Sequence, residues 1–147
     1  MSNFDNILRL LPYKEPFLFV DEIESLDDDG AVGSYTIRKD EFYLEGHFPG
    51  NPIVPGVILT EIMCQIGLVT LAMHLMQLDE NSKVLPAFTS ANVDFLSKVI
   101  PGDKLIVESK KVYFRFGKLK CMVTCKKTDE TVVAKGELAG MVVKAEA

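Results

Sequence analysis

From Gly56 to about Gln77 the chain places Leu59, Ile62, Met63, Ile66, Val69 and Met73 at helical spacing, with further apolar residues on the other faces. A helix that is apolar all round must be enclosed. At the standard rise it would measure roughly 33 Å, enough to cross a bilayer. Glu61, Gln65 and His74 interrupt it, however, and the rest of the chain has no membrane pattern. The reading is therefore a core helix, which requires other elements wrapped around it.

Composition sets the scale of that wrapping. With 147 residues, 48% hydrophobic and 25% charged, the chain reads as one domain over residues 1–147. A domain of this size buries roughly 70% of the surface its unfolded chain exposes, sufficient for one core without staples. The charge sum is 16 − 21 = −5, which speaks against wrapping nucleic acid or binding an anionic membrane. Two histidines and three cysteines make a multi-ligand zinc site hard to assemble. No metal or other cofactor is expected. Cys121 and Cys125 lie four apart in an alternating stretch, so they stand roughly 13 Å apart on a strand. Neither a disulfide nor a shared metal fits that span, and with Cys64 they read as core residues. The first eleven residues carry Asp5 and Arg9 rather than a signal-peptide pattern, and a cytoplasmic location is expected.

Phe4, Ile7, Leu8 and Leu11 have helical spacing, ended by Pro12. Phe17–Ile23 is a strand candidate, Asp27–Gly30 a turn and Ala31–Ile37 a second strand. The three turn aspartates lack the ordered ligand set of a calcium loop. After Val84 the alternation predicts strands over Pro86–Phe95, Lys104–Phe116, Leu119–Lys127 and Thr131–Val143, the last bent at Gly136 or Gly140. The expected fold is α+β: an antiparallel sheet curled around one long helix.

The chemistry-bearing segment lies between Gly46 and Gln65. His47 sits in a loop stiffened by Pro49, Pro52 and Pro55, as a positioned base requires, and imidazole titrates closest to working pH. Pro55 suits a first helical turn, so the N–H groups from Gly56 onward have no intrahelical partner. With the helix dipole behind them, those donors offer a site for a carbonyl oxygen gaining negative charge. Gly56 has no side chain to block the approach. Glu61 and Gln65 share a helix face. A carboxyl on this apolar helix either is satisfied structurally, by Gln65 and backbone donors, or has a raised pKa suited to a general acid.

The His47-Phe48-Pro49-Gly50 loop, Pro55-Gly56 at the helix start and Glu61-x-x-x-Gln65 resemble the 3-hydroxyacyl-(acyl carrier protein) dehydratases of bacterial fatty acid synthesis, which have the hot-dog fold. Leu11-Pro12-Tyr13-Lys14-Glu15-Pro16-Phe17-Leu18-Phe19-Val20-Asp21 and Val99-Ile100-Pro101-Gly102-Asp103 resemble further segments of that family. The resemblance implies dehydration of a 3-hydroxyacyl thioester to the trans-2-enoyl thioester. By carry-over His47 is the catalytic histidine and Glu61 the catalytic carboxylate, with the family's spacing of 61 − 47 = 14. Gly56 would offer its N–H to the thioester carbonyl, and Gln65 would hold Glu61 or a water. The resemblance also implies a homodimer with active sites shared between subunits, typically assembled as a trimer of dimers. A glutamate at position 61, where the isomerising branch has aspartate, implies plain dehydration.

Part of the core would line an acyl pocket, with Leu59, Ile62, Met63 and Phe88 as candidates. An acyl carrier protein bearing its phosphopantetheine-linked chain is the implied partner, and Lys98, Arg115, Lys118 and Lys120 are the candidate basic contacts for it. His74 reads as a surface or capping residue. The chain departs from the family at Tyr13-Lys14, usually His-Arg, at Asn51, and at Ile62 and Cys64, usually small residues. A bulkier Ile62 would shorten or redirect the pocket and suit a specialised pathway such as polyene or polyketide assembly. The rival readings are a hot-dog thioesterase, disfavoured by the His-Phe-Pro-Gly loop, and a non-catalytic acyl-binding partner subunit of a dehydratase, disfavoured by the presence of both His47 and Glu61.

Overall fold

A computed structural model describes residues 4–145 of the chain. A short helix α1 (Asp5–Leu10) precedes strands β1 (Glu22–Leu26) and β2 (Gly30–Thr36). The central helix α2 (Gly56–Leu75) follows, and its middle, Cys64–Val69, is wound as a π-helix. Four long strands complete the chain: β3 (Val84–Phe95), β4 (Lys104–Arg115), β5 (Lys118–Lys127) and β6 (Val132–Lys144). They form one antiparallel sheet in the order β1-β2-β4-β5-β6-β3, with α2 against its concave face. This is the hot-dog architecture.

Enclosure of α2 is nearly complete at its core positions. Ile62, Met63, Ile66 and Leu71 are fully buried, each worth about 1.5–3 kcal/mol relative to exposure. The close approach of helix and sheet depends on Gly67, where a Cβ would lie 3.1 Å from both Ser109 Cβ and Val123 Cγ1. The π segment passes this contact and carries Gln65 into the core, where its amide is fully buried.

One expected strand is displaced. The ladder begins at Glu22, and Phe17–Val20 instead runs across α2. The reason is the Gln65 side chain: its Oε1 accepts from the Phe19 N–H at 2.8 Å, and its Nε2 donates to the Phe17 carbonyl at 3.0 Å. Backbone groups that would have joined a ladder are thus used by a helix side chain. The three turn aspartates behave as read, with Asp27 Oδ1 accepting from the Asp29 and Gly30 N–H groups. Beside Gly140 the extra residue lies on β3 rather than β6: Phe88 is opposite Gly140 and Ser90 opposite Ala139, with Thr89 between them.

Strand β3 is an edge of the sheet, twelve residues long and, among the described residues, bonded in the sheet only to β6. Its Phe88 and Phe95 side chains are exposed. A long edge of this kind is a template for another strand. The opposite edge, β1, is five residues long, carries Glu22 and Glu24 and has a register shift, features that blunt pairing.

Candidate active site

The loop before α2 fixes His47 from three sides. Its Nδ1 lies 2.8 Å from the Ile53 carbonyl. A carbonyl only accepts, so Nδ1 carries the hydrogen and the neutral ring presents Nε2 as its acceptor. The Ile53 N–H returns a bond to the His47 carbonyl at 2.9 Å, and the His47 ring stacks on Phe48 with centroids 4.1 Å apart. Between them, Phe48 and Asn51 exchange two backbone bonds around Gly50, whose φ of 72° suits glycine. The chain enters this loop through a buried anchor: Glu41 accepts from the Tyr35 hydroxyl at 2.7 Å and from the Arg38 N–H at 3.0 Å.

Gly56 borders the same cavity as His47, together with Leu59, Phe95 and Lys98. Pro55 precedes the helix with extended ψ and its carbonyl receives the Ile58 and Leu59 N–H groups. The Gly56 and Val57 N–H groups therefore have no backbone acceptor among the described residues. A Cβ at Gly56 would come 3.1 Å from the Phe95 ring. A constrained imidazole and free helix N-terminal donors thus face one space.

Glu61 opens into a different cavity. Gln65 Nε2 donates to Glu61 Oε2 at 3.0 Å, and the backbone partners at both ends of that amide fix its orientation. Burial raises the Glu61 pKa from the ordinary carboxylate value, and the Gln65 bond partly offsets this. Around it, Cys64, Leu68 and Ala72 continue the same helix face, while Tyr13 comes from the N-terminal segment and Phe88 from β3. Burial, with Glu61 adding to it, raises the Cys64 pKa, so this thiol stays protonated and is no nucleophile.

The two cavities have no lining residue in common. Within one chain, then, His47 and Gly56 are brought together and Glu61 and Gln65 are brought together, but not the two pairs with each other. Strand β3 borders both: Pro86, Ala87 and Phe88 at the Glu61 cavity, and Phe95 at the His47 cavity.

Of the expected acyl-pocket residues, Phe88 borders the Glu61 cavity and Leu59 the His47 cavity. Ile62 and Met63 border neither. They are turned away from the Glu61 face of the helix and are fully buried in the core, so Ile62 does not narrow the Glu61 cavity. Tyr13, Leu68, Ala72 and Met141 also line the Glu61 cavity. Only the helical stripe Glu61, Cys64, Leu68, Ala72 carried a readable signal, as one face at spacings of three and four.

The four expected basic contacts separate. Arg115, Lys118 and Lys120 cluster at the β4–β5 hairpin, where Arg115 is opposite Lys118 and its guanidinium lies 4.7 Å from the Tyr113 ring centroid. Lys120 pairs with Glu137 at 2.7 Å. Lys98 lies at the His47 cavity, beyond the far end of β3 from Phe88. The hairpin adjoins the Glu61 cavity, because Lys118 is opposite Met141 in the sheet and Leu119 and Met141 line that cavity. His74 makes a surface pair with Asp28 at 3.0 Å.

Residues 11–137 match the FabA-like domain family. The chain is similar to a curated 3-hydroxyacyl-(acyl-carrier-protein) dehydratase FabZ of Caldicellulosiruptor bescii, 34% identical over 142 residues that span 94% of this chain and 96% of that protein. The corresponding protein of Herpetosiphon aurantiacus is 37% identical over 141 residues, spanning 94% and 96%. Among solved structures, the dehydratase heterocomplex ApeI:P of Xenorhabdus doucetiae aligns with TM-score 0.76 at 15% identity, covering 95% of this chain and 91% of that one. A hypothetical thioesterase of Streptococcus pneumoniae with coenzyme A aligns with TM-score 0.62 at 15% identity, covering 86% and 88%. These structural likenesses speak to the fold, and the sequence match speaks to the family: the chain belongs to the FabA-like family, with FabZ-type dehydratases as relatives over nearly its whole length.

Proposed function

We propose that the protein is a 3-hydroxyacyl-(acyl carrier protein) dehydratase that yields the trans-2-enoyl thioester, with each active site formed between two copies of the chain. The observation that carries this reading is the division of the site. His47 and Gly56 face one cavity, Glu61 faces another, and the unpaired edge strand β3 runs from one to the other. Antiparallel pairing of β3 with its counterpart, around a two-fold axis near Ala91 and Asn92, would set Phe95 and His47 of one copy beside Phe88 and Glu61 of the next.

In the joined site His47 Nε2 takes the proton from C2 of the thioester. Charge moves onto the thioester oxygen, where the Gly56 N–H and the helix N-terminus stabilise it. The C3–O bond breaks as Glu61, whose protonated form is favoured by burial, gives its proton to the departing oxygen. Water leaves, the C2–C3 double bond forms, and a proton passes from imidazolium to carboxylate through solvent to reset the pair. The acyl tail lies among Leu68, Ala72, Phe88 and Met141. An acidic carrier docks on Arg115, Lys118 and Lys120, with the exposed Phe116 at the hairpin tip.

Turnover of carrier-bound 3-hydroxyacyl chains of graded length, followed by mass spectrometry, tests the reading. Loss of water with the thioester intact is expected. Free acid and thiol would indicate a thioesterase instead, and carrier binding with no turnover a non-catalytic subunit.

A further inference from the structure

Among the side chains that line the Glu61 cavity is a second one bearing oxygen, with no role in the mechanism above. Tyr13 borders this cavity beside Glu61 and Cys64. Its ring is braced by Phe17, with centroids 6.5 Å apart, and packs against the edge of the core. The other phenols near the N-terminal half are differently placed: Tyr35 donates to Glu41 at 2.7 Å, and the Tyr43 hydroxyl is buried without a partner among the described residues. The Tyr13 hydroxyl is neither paired in this way nor sealed in the core.

Glu61 is in a similar position. Gln65 occupies its Oε2, and no hydrogen bond reaches Oε1 among the described residues. The remaining walls of the cavity are apolar, including Leu68, Ala87, Phe88 and Met141. A phenol and a carboxyl oxygen bordering an otherwise apolar cavity are the polar groups left there to pair with a ligand that enters and displaces water. One ligand oxygen placed between them would pair with both. Phenylalanine would serve the packing against Phe17 equally well, so the hydroxyl itself requires an explanation.

We propose that Tyr13 donates a hydrogen bond to the 3-hydroxyl oxygen of the substrate, alongside Glu61, and so holds and polarises the leaving group. The inference rests on the dehydratase reading. Tyr13 keeps its proton throughout: Glu61 supplies the proton that makes water, His47 takes the one from C2, and the phenol stabilises the negative charge that builds on the departing oxygen. Burial, with Cys64 and Glu61 adding to it, raises the Tyr13 pKa above the ordinary phenol value, so the donor is present at any working pH. Position 13 is also one where the chain departs from the His-Arg usual in the resembling family, so a phenol hydroxyl at this place is a feature of this chain.

The test is Tyr13→Phe, with Tyr13→His as a variant that retains a donor. Tyr13→Phe is expected to lower kcat about 5- to 10-fold, the size of one lost hydrogen bond, with KM changed less than about twofold. Tyr13→His is expected to lie between it and the parent. A purely structural role is separated by equilibrium binding of two inert amide analogues of acyl-pantetheine, one with and one without the 3-hydroxyl, at the chain length the parent turns over fastest. The parent should prefer the hydroxylated analogue, and Tyr13→Phe should lose about fivefold of that preference with unchanged affinity for the deoxy analogue. An equal loss for both analogues, or no change in kcat and preference, overturns the proposal. Should Tyr13→Phe not fold, Tyr13→His and Tyr13→Met are read in the same two assays. A parent protein that dehydrates nothing would instead defeat the dehydratase reading.

Discussion

Gln65 Nε2 donates to Glu61 Oε2 at 3.0 Å, and the same amide bonds the backbone of Phe17 and Phe19. One fully buried side chain therefore positions the carboxyl and pins the N-terminal segment over the helix. Gln65→Leu leaves the Phe19 N–H and the Phe17 carbonyl without that partner. A loss of about 1–3 kcal/mol in denaturant unfolding is expected, together with a kcat lowered about tenfold as Glu61 loses its orientation.

The raised Glu61 pKa gives a pH prediction with a definite sign. A general acid must be protonated, so kcat should fall as pH rises through the Glu61 pKa in the folded protein, which lies above the ordinary carboxylate value. Glu61→Gln removes this limb and lowers kcat by roughly 10²- to 10⁴-fold. The same shift acts on stability. A carboxyl whose folded pKa exceeds its unfolded one favours the fold below the unfolded pKa, and that contribution is lost as pH rises through the folded value. Thermal unfolding of Glu61→Gln, whose amide does not titrate, should lack this decline, so the variant gains in Tm relative to the parent as pH rises through the window.

Val69, Ala72, Pro86 and Val142 border both the Glu61 cavity and an adjoining, mostly apolar cavity lined by Leu10, Met73 and Leu78, with Asp79 and Ser82 also on its wall. An acyl tail passing Glu61 can continue there. Ala72→Phe fills the junction, and each methylene it excludes costs about 0.8 kcal/mol, or roughly fourfold in kcat/KM. Turnover against chain length should therefore keep its short-chain limb and lose its long-chain limb. A uniform loss at all lengths would place the tail elsewhere.

Docking at the β4–β5 hairpin is read from carrier dependence. Arg115→Glu with Lys118→Glu should raise KM for carrier-bound substrate about tenfold at low salt, less at high salt, and leave pantetheine-bound substrate unaffected. Equal effects on both substrates would count against a carrier contact there.

Much of this architecture was legible from periodicity. The four long strands begin and end within two residues of the alternating stretches, and the helix begins where Pro55-Gly56 requires. What periodicity misses is decided by contacts across the chain. Phe17–Ile23 reads as a strand candidate, yet a glutamine 46 residues beyond Phe19 takes backbone groups of its first part. The π segment Cys64–Val69 leaves no mark in residue type, although its Gly67 packs closely on Ser109 and Val123. Tyr13 was visible only as a departure from the resembling family. Its place beside Glu61 depends on how the N-terminal segment crosses the helix.

The central claim is that one copy supplies His47 and Gly56 to the Glu61 and Gln65 of another. His47→Ala and Glu61→Gln chains with different affinity tags, co-expressed and purified for species holding both, test it directly. Each variant alone should be nearly inactive. The mixed assembly should recover a rate within about two- to fourfold of the parent, because one site in each mixed dimer then holds an intact pair. A mixed assembly as inactive as its components would contradict the shared site and place both residues' work within a single chain.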